Sequence, residues 1–157
     1  PFNDTCAIVA YVSDEKEKYG LIDKKANIVL PPIFSRIDYI DNRMYKYKLN
    51  NLYGLVNSKG NIIVQNKYNY IGEFSEGIAA VKFNGKWGFV NTKWEIVVPC
   101  EYDEFESNFK KGTGKLAKDG YICVFDKSGM QIRHMKKRND SEDYYDDGDI
   151  SSVYDNP

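Results

Sequence analysis

Apolar and polar residues alternate with a period of two along much of the chain, and glycine, asparagine or aspartate interrupts the alternation at short intervals. In Ile78-Ala79-Ala80-Val81-Lys82-Phe83 the side chains of Ala79, Val81 and Phe83 share one face. Tyr45, Tyr47 and Leu49 do the same earlier in the chain, and Lys46, Lys48 and Lys82 take the opposite face. The segments between turn signals run to about 5 to 8 residues, which is strand length and too short for a typical helix. Asn50-Asn51, Asn84-Gly85 and Asp119-Gly120 stand between such segments. The Asn-Gly and Asp-Gly pairs favour two-residue type I′ loops, in which both central residues take positive φ. The pattern predicts antiparallel hairpins, each followed by a tight turn and a third short strand at Ile28-Val29-Leu30, Ile62-Ile63-Val64 and Ile96-Val97-Val98. Three consecutive β-formers in each of these suggest a strand buried on both faces.

The alternation is itself repeated. Tyr19-Gly20, Tyr53-Gly54 and Trp87-Gly88 recur 34 residues apart, each followed by an apolar pair and then Asp or Asn: Leu21-Ile22-Asp23, Leu55-Val56-Asn57 and Phe89-Val90-Asn91. A fourth copy, Ile122-Cys123-Val124-Phe125-Asp126, follows after one inserted residue and lacks both the aromatic and the glycine. Lys59-Gly60 and Ser128-Gly129 close the next turn, where the other copies have Ala26 and Trp94. An aromatic at Phe34, Tyr68 and Tyr102 follows the third strand. Phe2, Ile40, Phe74 and Phe109 align as unit starts, and the last unit ends near Arg133. The expected architecture is all-β: a tandem array of four hairpin units over residues 2–133, then a basic junction and acidic tail over 134–157. Stacked units bury a continuous core that one hairpin cannot, and a degenerate last copy suits a terminal cap.

These landmarks resemble the WG (KWG) repeat family, a bacterial β-rich repeat. Phe74-Ser75-Glu76-Gly77-Ile78-Ala79-Ala80-Val81, Asn84-Gly85-Lys86-Trp87-Gly88-Phe89-Val90-Asn91 and Glu101-Tyr102-Asp103 follow its pattern most fully. Tyr19 and Tyr53 replace the usual tryptophan, Asn42-Arg43 replaces Glu-Gly, and Ile122-Cys123 departs in the last unit. The resemblance implies a non-enzymatic repeat scaffold, often beside other domains, with no catalytic residues to carry over.

Composition narrows the function classes. The chain has 157 residues, 42% hydrophobic and 15% aromatic, enough for an ordinary core without metal or disulfide staples. Cys6, Cys100 and Cys123 are an odd number at wide spacing, which suits neither a disulfide framework nor a zinc site, and reads as small buried hydrophobes. No apolar run approaches the roughly 18 residues of a membrane span, and the first residues lack a secretory leader pattern. The lack of a leader pattern and the odd cysteine count favour the cytoplasm, while Pro1 leaves open that the segment is part of a longer protein. The net charge of -1 is a cancellation. Residues 1–138 hold all 22 basic and 16 acidic residues, a net +6, and the last 19 carry -7. That final stretch is too poor in apolar residues to offset its own ordering, so the simpler expectation is a solvated tail. The sharper one is docking through Tyr144, Tyr145 and Tyr154, on another protein or on a basic patch of Lys110, Lys111, Lys115 and Lys118.

Catalytic chemistry finds little footing. His134 is the single histidine, and a catalytic role needs a partner nucleophile or carboxylate. Glu101, Asp103, Glu104 and Glu106 lack calcium-loop spacing, and Gly112-x-Gly114 lacks the Lys-Ser/Thr of a phosphate loop. The lysines near the end of the array give nucleic acid a hearing, but no recognised nucleic-acid module accompanies them. Trp94 stands in a turn where two other copies have glycine, a position suited to an interface anchor or to packing on a neighbouring unit. The expectation is therefore a non-catalytic scaffold that binds another protein and takes no cofactor or metal. A small-ligand or glycan-binding module is the alternative, and an enzyme of unrecognised type comes third.

Overall fold

The computed structural model describes residues 6–13, 16–40 and 43–137. Among them every regular element is a strand, and the chain divides after Tyr70 into two compact units. In the first unit, β1 (Cys6–Ser13), β2 (Lys16–Asp23) and β3 (Ile28–Phe34) form a three-stranded antiparallel sheet. It is followed by a four-stranded sheet of β4 (Arg36–Tyr39), β5 (Met44–Leu49), β6 (Leu52–Asn57) and β7 (Ile62–Tyr68), in chain order. The second unit holds two four-stranded sheets: β8 (Tyr70–Ser75) to β11 (Ile96–Tyr102) through β9 (Ile78–Phe83) and β10 (Lys86–Asn91), and β12 (Glu104–Lys110) to β15 (Gln131–Lys136) through β13 (Thr113–Lys118) and β14 (Tyr121–Asp126).

The hairpin turns follow from local chemistry. Both central residues are left-handed at Asn50-Asn51 (φ 50° and 63°), Asn84-Gly85 (48° and 78°) and Asp119-Gly120 (52° and 80°), as type I′ loops require. Glu76-Gly77 and Lys111-Gly112 do the same between β8 and β9 and between β12 and β13.

Two expectations need correction. Three of the sheets have four strands, because β4, β8 and β12 pair ahead of the expected hairpins. The third strands of the sequence reading, now β3, β7 and β11, are not buried on both faces. Ile28, Ile62 and Ile96 are 69%, 46% and 60% exposed, because each strand lies at the edge of its sheet. Double burial belongs to inner strands instead: Ile78, Ala79, Ala80 and Val81 of β9 are all buried, as are Leu55 and Val56 of β6.

Each unit packs its own core between its two sheets. In the first, Leu21, Leu30 and Phe34 meet Ile37, Tyr45, Tyr47 and Val56. Tyr45 and Tyr47 are 1% exposed, and each hydroxyl donates to a carbonyl, Cys6 O at 3.5 Å and Val64 O at 3.4 Å. Burial raises both phenol pKa values. In the second, Ile78, Phe89 and Val98 meet Phe109, Leu116 and Phe125.

The recurrent glycine answers to space. Opposite Trp87 lies Tyr102, but opposite Phe89 lies Val98, so two steps along β10 match four along β11. The surplus bows the β11 backbone over Gly88, and the same offset recurs over Gly20 and Gly54.

Candidate functional site

The acidic or amide residue that ends each motif organises the turn after it. One side-chain oxygen of Asp23, Asn57, Asn91 and Asp126 accepts from the backbone N–H two and four residues on, at 2.8 to 3.1 Å. These turns place Ala26, Gly60, Trp94 and Gly129 in the left-handed region. Trp94, at φ 64°, therefore occupies a backbone state that glycine holds in two other copies. Its ring is half-buried and meets Phe74 edge-to-face with centroids 5.2 Å apart. That contact offsets the strain, since such pairs are worth about 0.5–1.5 kcal/mol beyond area burial.

Glu76 ties consecutive sheets together inside the second unit. Its two carboxylate oxygens accept from the backbone N–H of Lys111 and Gly112, both at 2.8 Å, and Lys127 lies 3.4 Å away. The Gly112 N–H above all, with Lys111 and Lys127, holds this carboxyl below its ordinary value of 4.5. A carboxylate whose pKa is depressed on folding stabilises the fold above its unfolded pKa, and that contribution is lost as pH falls through the folded value. The second unit is therefore expected to lose urea resistance as pH drops below about 4.5, with Asp103 and Asp126, also depressed, adding to the loss. Glu76→Gln is expected to flatten that acid dependence, read by fluorescence of Trp87 and Trp94, both in this unit. An unchanged pH profile in the variant would show the clamp contributes nothing.

The once-per-copy aromatic is half-buried, and at Tyr53 and Trp87 one side is left to lysines. Lys82 lies directly opposite Trp87 across the hairpin and places its ammonium 5.4 Å from the indole centroid. Lys48, 34 residues earlier, lies opposite Tyr53 at 5.2 Å, with Lys46 at 5.7 Å. Around Trp87 the arrangement is extended by Phe105, 39% exposed, whose ring tilts against the indole at 5.3 Å. Lys86 pairs with Asp103, which also accepts from the backbone N–H of Asp119 at 3.2 Å. Lys86 therefore holds Asp103 low, and Asp103 in turn raises the Lys86 pKa. The surface is an amphipathic patch of two aromatic rings with an ammonium over one of them.

The expected basic patch is divided. Lys110 and Lys111 sit at one end of β13 and Lys118 at the other, about 17 Å of strand apart at the usual rise per residue, with Lys115 between them. Lys118 is engaged: its ammonium lies 3.9 Å from Glu101 and 5.8 Å from the Tyr102 ring centroid. Burial, with smaller contributions from Cys123 and Glu101, pushes the Tyr102 phenol up to about 12. Lys137 pairs with both Glu104 and Glu106, Glu104 first among the causes that raise its pKa. Each member of the acidic group thus meets a lysine, Glu104 and Glu106 sharing Lys137, and among the described residues no cluster is arranged to hold a metal ion. His134 is exposed, its ring 5.9 Å from that of Tyr121. Tyr144, Tyr145 and Tyr154 lie outside the described residues. Sequence reasoning took none of Lys82, Trp87 and Phe105 for a site residue: it put Lys82 on a polar strand face and read Trp87, like Tyr19 and Tyr53, as a core or stacking residue. Counting outward from the two-residue Asn84-Gly85 loop places Lys82 opposite Trp87, whereas Phe105 belongs to the next sheet and has no such local signal.

The profile of a family described as WG containing repeat matches three consecutive stretches, residues 19–53, 53–87 and 87–121. No match is found among the curated proteins. Among solved structures, Kluyveromyces lactis Hsv2 is similar at 16% identity and a TM-score of 0.47, over 82% of this chain and 48% of that one. A structure titled as the eukaryotic initiation factor is similar at 13% identity and a TM-score of 0.46, over 84% of this chain and 40% of that one. The chain spans less than half the length of either.

Proposed function

The chain belongs to the WG containing repeat family, and from that premise we propose that it is a non-catalytic β-repeat scaffold that binds another protein, with the Trp87 face as its principal contact. The observation that carries this reading is the Lys82–Trp87–Phe105 patch, where aromatic rings are held half-exposed by strand pairing and a cation lies over the indole. Aromatic residues rigid enough to lose little entropy on binding are the usual anchors of protein interfaces. The lysines favour a partner surface that carries carboxylates. Trp94 is a second contact on the same unit.

The alternative, a small-ligand or glycan-binding module, draws support from a shallow depression of about 340 Å³ in the first unit, lined by Arg43, Met44, Asn57, Ser58, Lys59, Asn61 and Ile63. Its lining has no aromatic face on which a sugar ring stacks, so the protein-binding reading is preferred. In quantitative capture of partners from native lysate, Trp87→Ala is expected to reduce recovery about 30-fold, as for a hot spot near 2 kcal/mol. Trp94→Ala is expected to reduce it less. Unchanged recovery with both variants would remove the interface from this unit.

A further inference from the structure

We propose that the depression in the first unit is a binding site for a short-chain dicarboxylic acid. This goes beyond the protein-binding reading, which rests on the second unit, and is tested apart from it. The depression, about 340 Å³, lies where the turn ahead of β5 meets the turn between β6 and β7. Arg43 and Lys59 line it together with Asn57 and Asn61, Met44 and Ile63 supply apolar wall, and no acidic residue takes part. Among the described residues neither Arg43 nor Lys59 pairs with a carboxylate, whereas Arg36, Lys86, Lys118, Lys127 and Lys137 all do. Two positive charges therefore share a hollow of small-ligand size with no charge to balance them.

The other copies show which group belongs there. Asn57 and Asn61 hold the places of Asp23 and Asn27 in the first copy, of Asn91 and Glu95 in the third, and of Asp126 and Met130 in the last. Asn27 Nδ2 donates to Asp23 at 2.9 Å and Asn91 Nδ2 to Glu95 at 2.7 Å, so in both copies an amide is answered by a carboxylate. In the last copy Asp126 accepts from the Ser128 hydroxyl at 2.6 Å. The second copy alone has amides at both places and no carboxylate. Asn57 Oδ1 is taken by the backbone N–H groups of Lys59 and Asn61, which leaves Asn57 Nδ2 and the Asn61 amide without a protein acceptor among the described residues. An ionised oxygen is the stronger acceptor for such donors, and a carboxylate is what the same turn holds one copy earlier and one copy later.

Arg43 is the second departure. It stands where the β8–β9 and β12–β13 turns have Gly77 and Gly112 and keeps their left-handed backbone, at φ 61° against 84° and 80°. A β-carbon makes that region costly for any residue but glycine. Strain retained beside a cavity points to a use for the side chain. The Arg43 carbonyl accepts from the Ser58 N–H at 2.9 Å, so the two turns are fastened to each other before a ligand arrives. Two cations suit a dianion, the amides suit carboxylate oxygens, and Met44 with Ile63 suits the methylene chain between them.

Titration of the nitrogen-labelled full chain with glutarate, followed through the side-chain amide signals of Asn57 and Asn61, tests this. Saturable shifts with a dissociation constant of about 1 mM are expected, and none with the neutral diamide glutaramide. Arg43→Gly restores the residue of the other turns and relieves the strain, yet is expected to weaken binding at least about tenfold, and Lys59→Gln about fivefold. Asn61→Glu gives this copy the carboxylate of the third and is expected to abolish binding, read at Asn57. No saturable shift in the unaltered chain overturns the proposal, as does unchanged affinity in Arg43→Gly or Asn61→Glu. Equal affinity for inorganic phosphate or chloride overturns it too, by making the hollow an unselective basic surface. Binding that appears only after Asp4→Asn or Asp41→Asn overturns it in favour of the chain's own carboxylate. If glutarate fails while a blocked glutamate peptide shifts the same signals, the carboxylate belongs to a protein partner and the small-acid site falls. The Trp87 interface is read by partner capture, so it stands or falls independently of every one of these results.

Discussion

Gly88→Ala is expected to destabilise the second unit by about 3 kcal/mol, the upper range for forcing extra volume into a packed site. A β-carbon at Gly88 would lie 2.5 Å from the Val98 carbonyl oxygen and 2.9 Å from both the Cys100 nitrogen and sulfur. Backbone cannot rotate out of the way as a side chain can, so β11 must move bodily. The cause lies in the strand offset: β11 spends two more residues than β10 between matching pairs, and that excess crosses directly over the glycine. A β-carbon at Gly20 or Gly54 would likewise lie 2.6 Å from the equivalent carbonyl oxygen, Leu30 O or Val64 O.

The degenerate fourth copy supplies the control. Along β14 and β15, Ile122, Cys123 and Val124 pair step by step with Met135, His134 and Arg133, so no surplus crosses Cys123; the one extra residue of β15 falls between Val124 and Phe125. A side chain therefore fits at Cys123, which is buried. Cys123→Ala keeps the β-carbon and is expected to cost only about 1 kcal/mol, typical of a modest core truncation. Urea midpoints followed by the fluorescence of Trp87 and Trp94 compare the two variants in the same unit. If Gly88→Ala proves no more costly than Cys123→Ala, the crossing backbone is not what the glycine serves.

The features legible in the sequence were those set by neighbours in the chain. Asn84-Gly85 announces its hairpin because positive φ at both positions is a local demand, and the motif spacing of 34 then carries the same hairpin to each copy. Strands β4, β8 and β12 had no such signal. Arg36-Ile37-Asp38-Tyr39 is half charged, and becomes a strand because β5 lies beside it. Likewise, Ile28 and Ile96 look like core residues in a run of β-formers, yet their strands end up at sheet edges. The same division applies to the site. Trp94 stands out as a residue, whereas Trp87, recurring once per copy with Tyr19 and Tyr53, reads as a core or stacking residue, and its half-exposed setting is made by Lys82 across a hairpin and Phe105 on the next sheet. Glu76 enters the sequence reading only as part of the Phe74-Ser75-Glu76-Gly77 motif, and only the fold brings the Lys111-Gly112 turn to its carboxylate.

The largest loss is expected at Phe89, where truncation to alanine should cost about 4 kcal/mol, within the range for a buried phenylalanine. Phe89 is fully buried on β10 and its ring meets Phe109 and Phe125 of the following sheet edge-to-face, with centroids at 5.0 and 6.4 Å. Gly114 leaves the room this cluster needs: a β-carbon there would press on the Phe109 ring at 2.5 Å and on Phe89 at 3.0 Å. Removing the ring opens a void between two sheets that share no strand, so neither can close it by a local shift. The first two copies have Leu21 and Leu55 at this position, both fully buried. Phe89→Leu, which returns the repeat's own residue, is therefore expected to lose under about 1.5 kcal/mol. Both variants keep Trp87 and Trp94, so the same fluorescence-detected urea unfolding reads them. Equal losses for alanine and leucine would mean that the aromatic contacts with Phe109 and Phe125, and not the filled volume, hold these two sheets together.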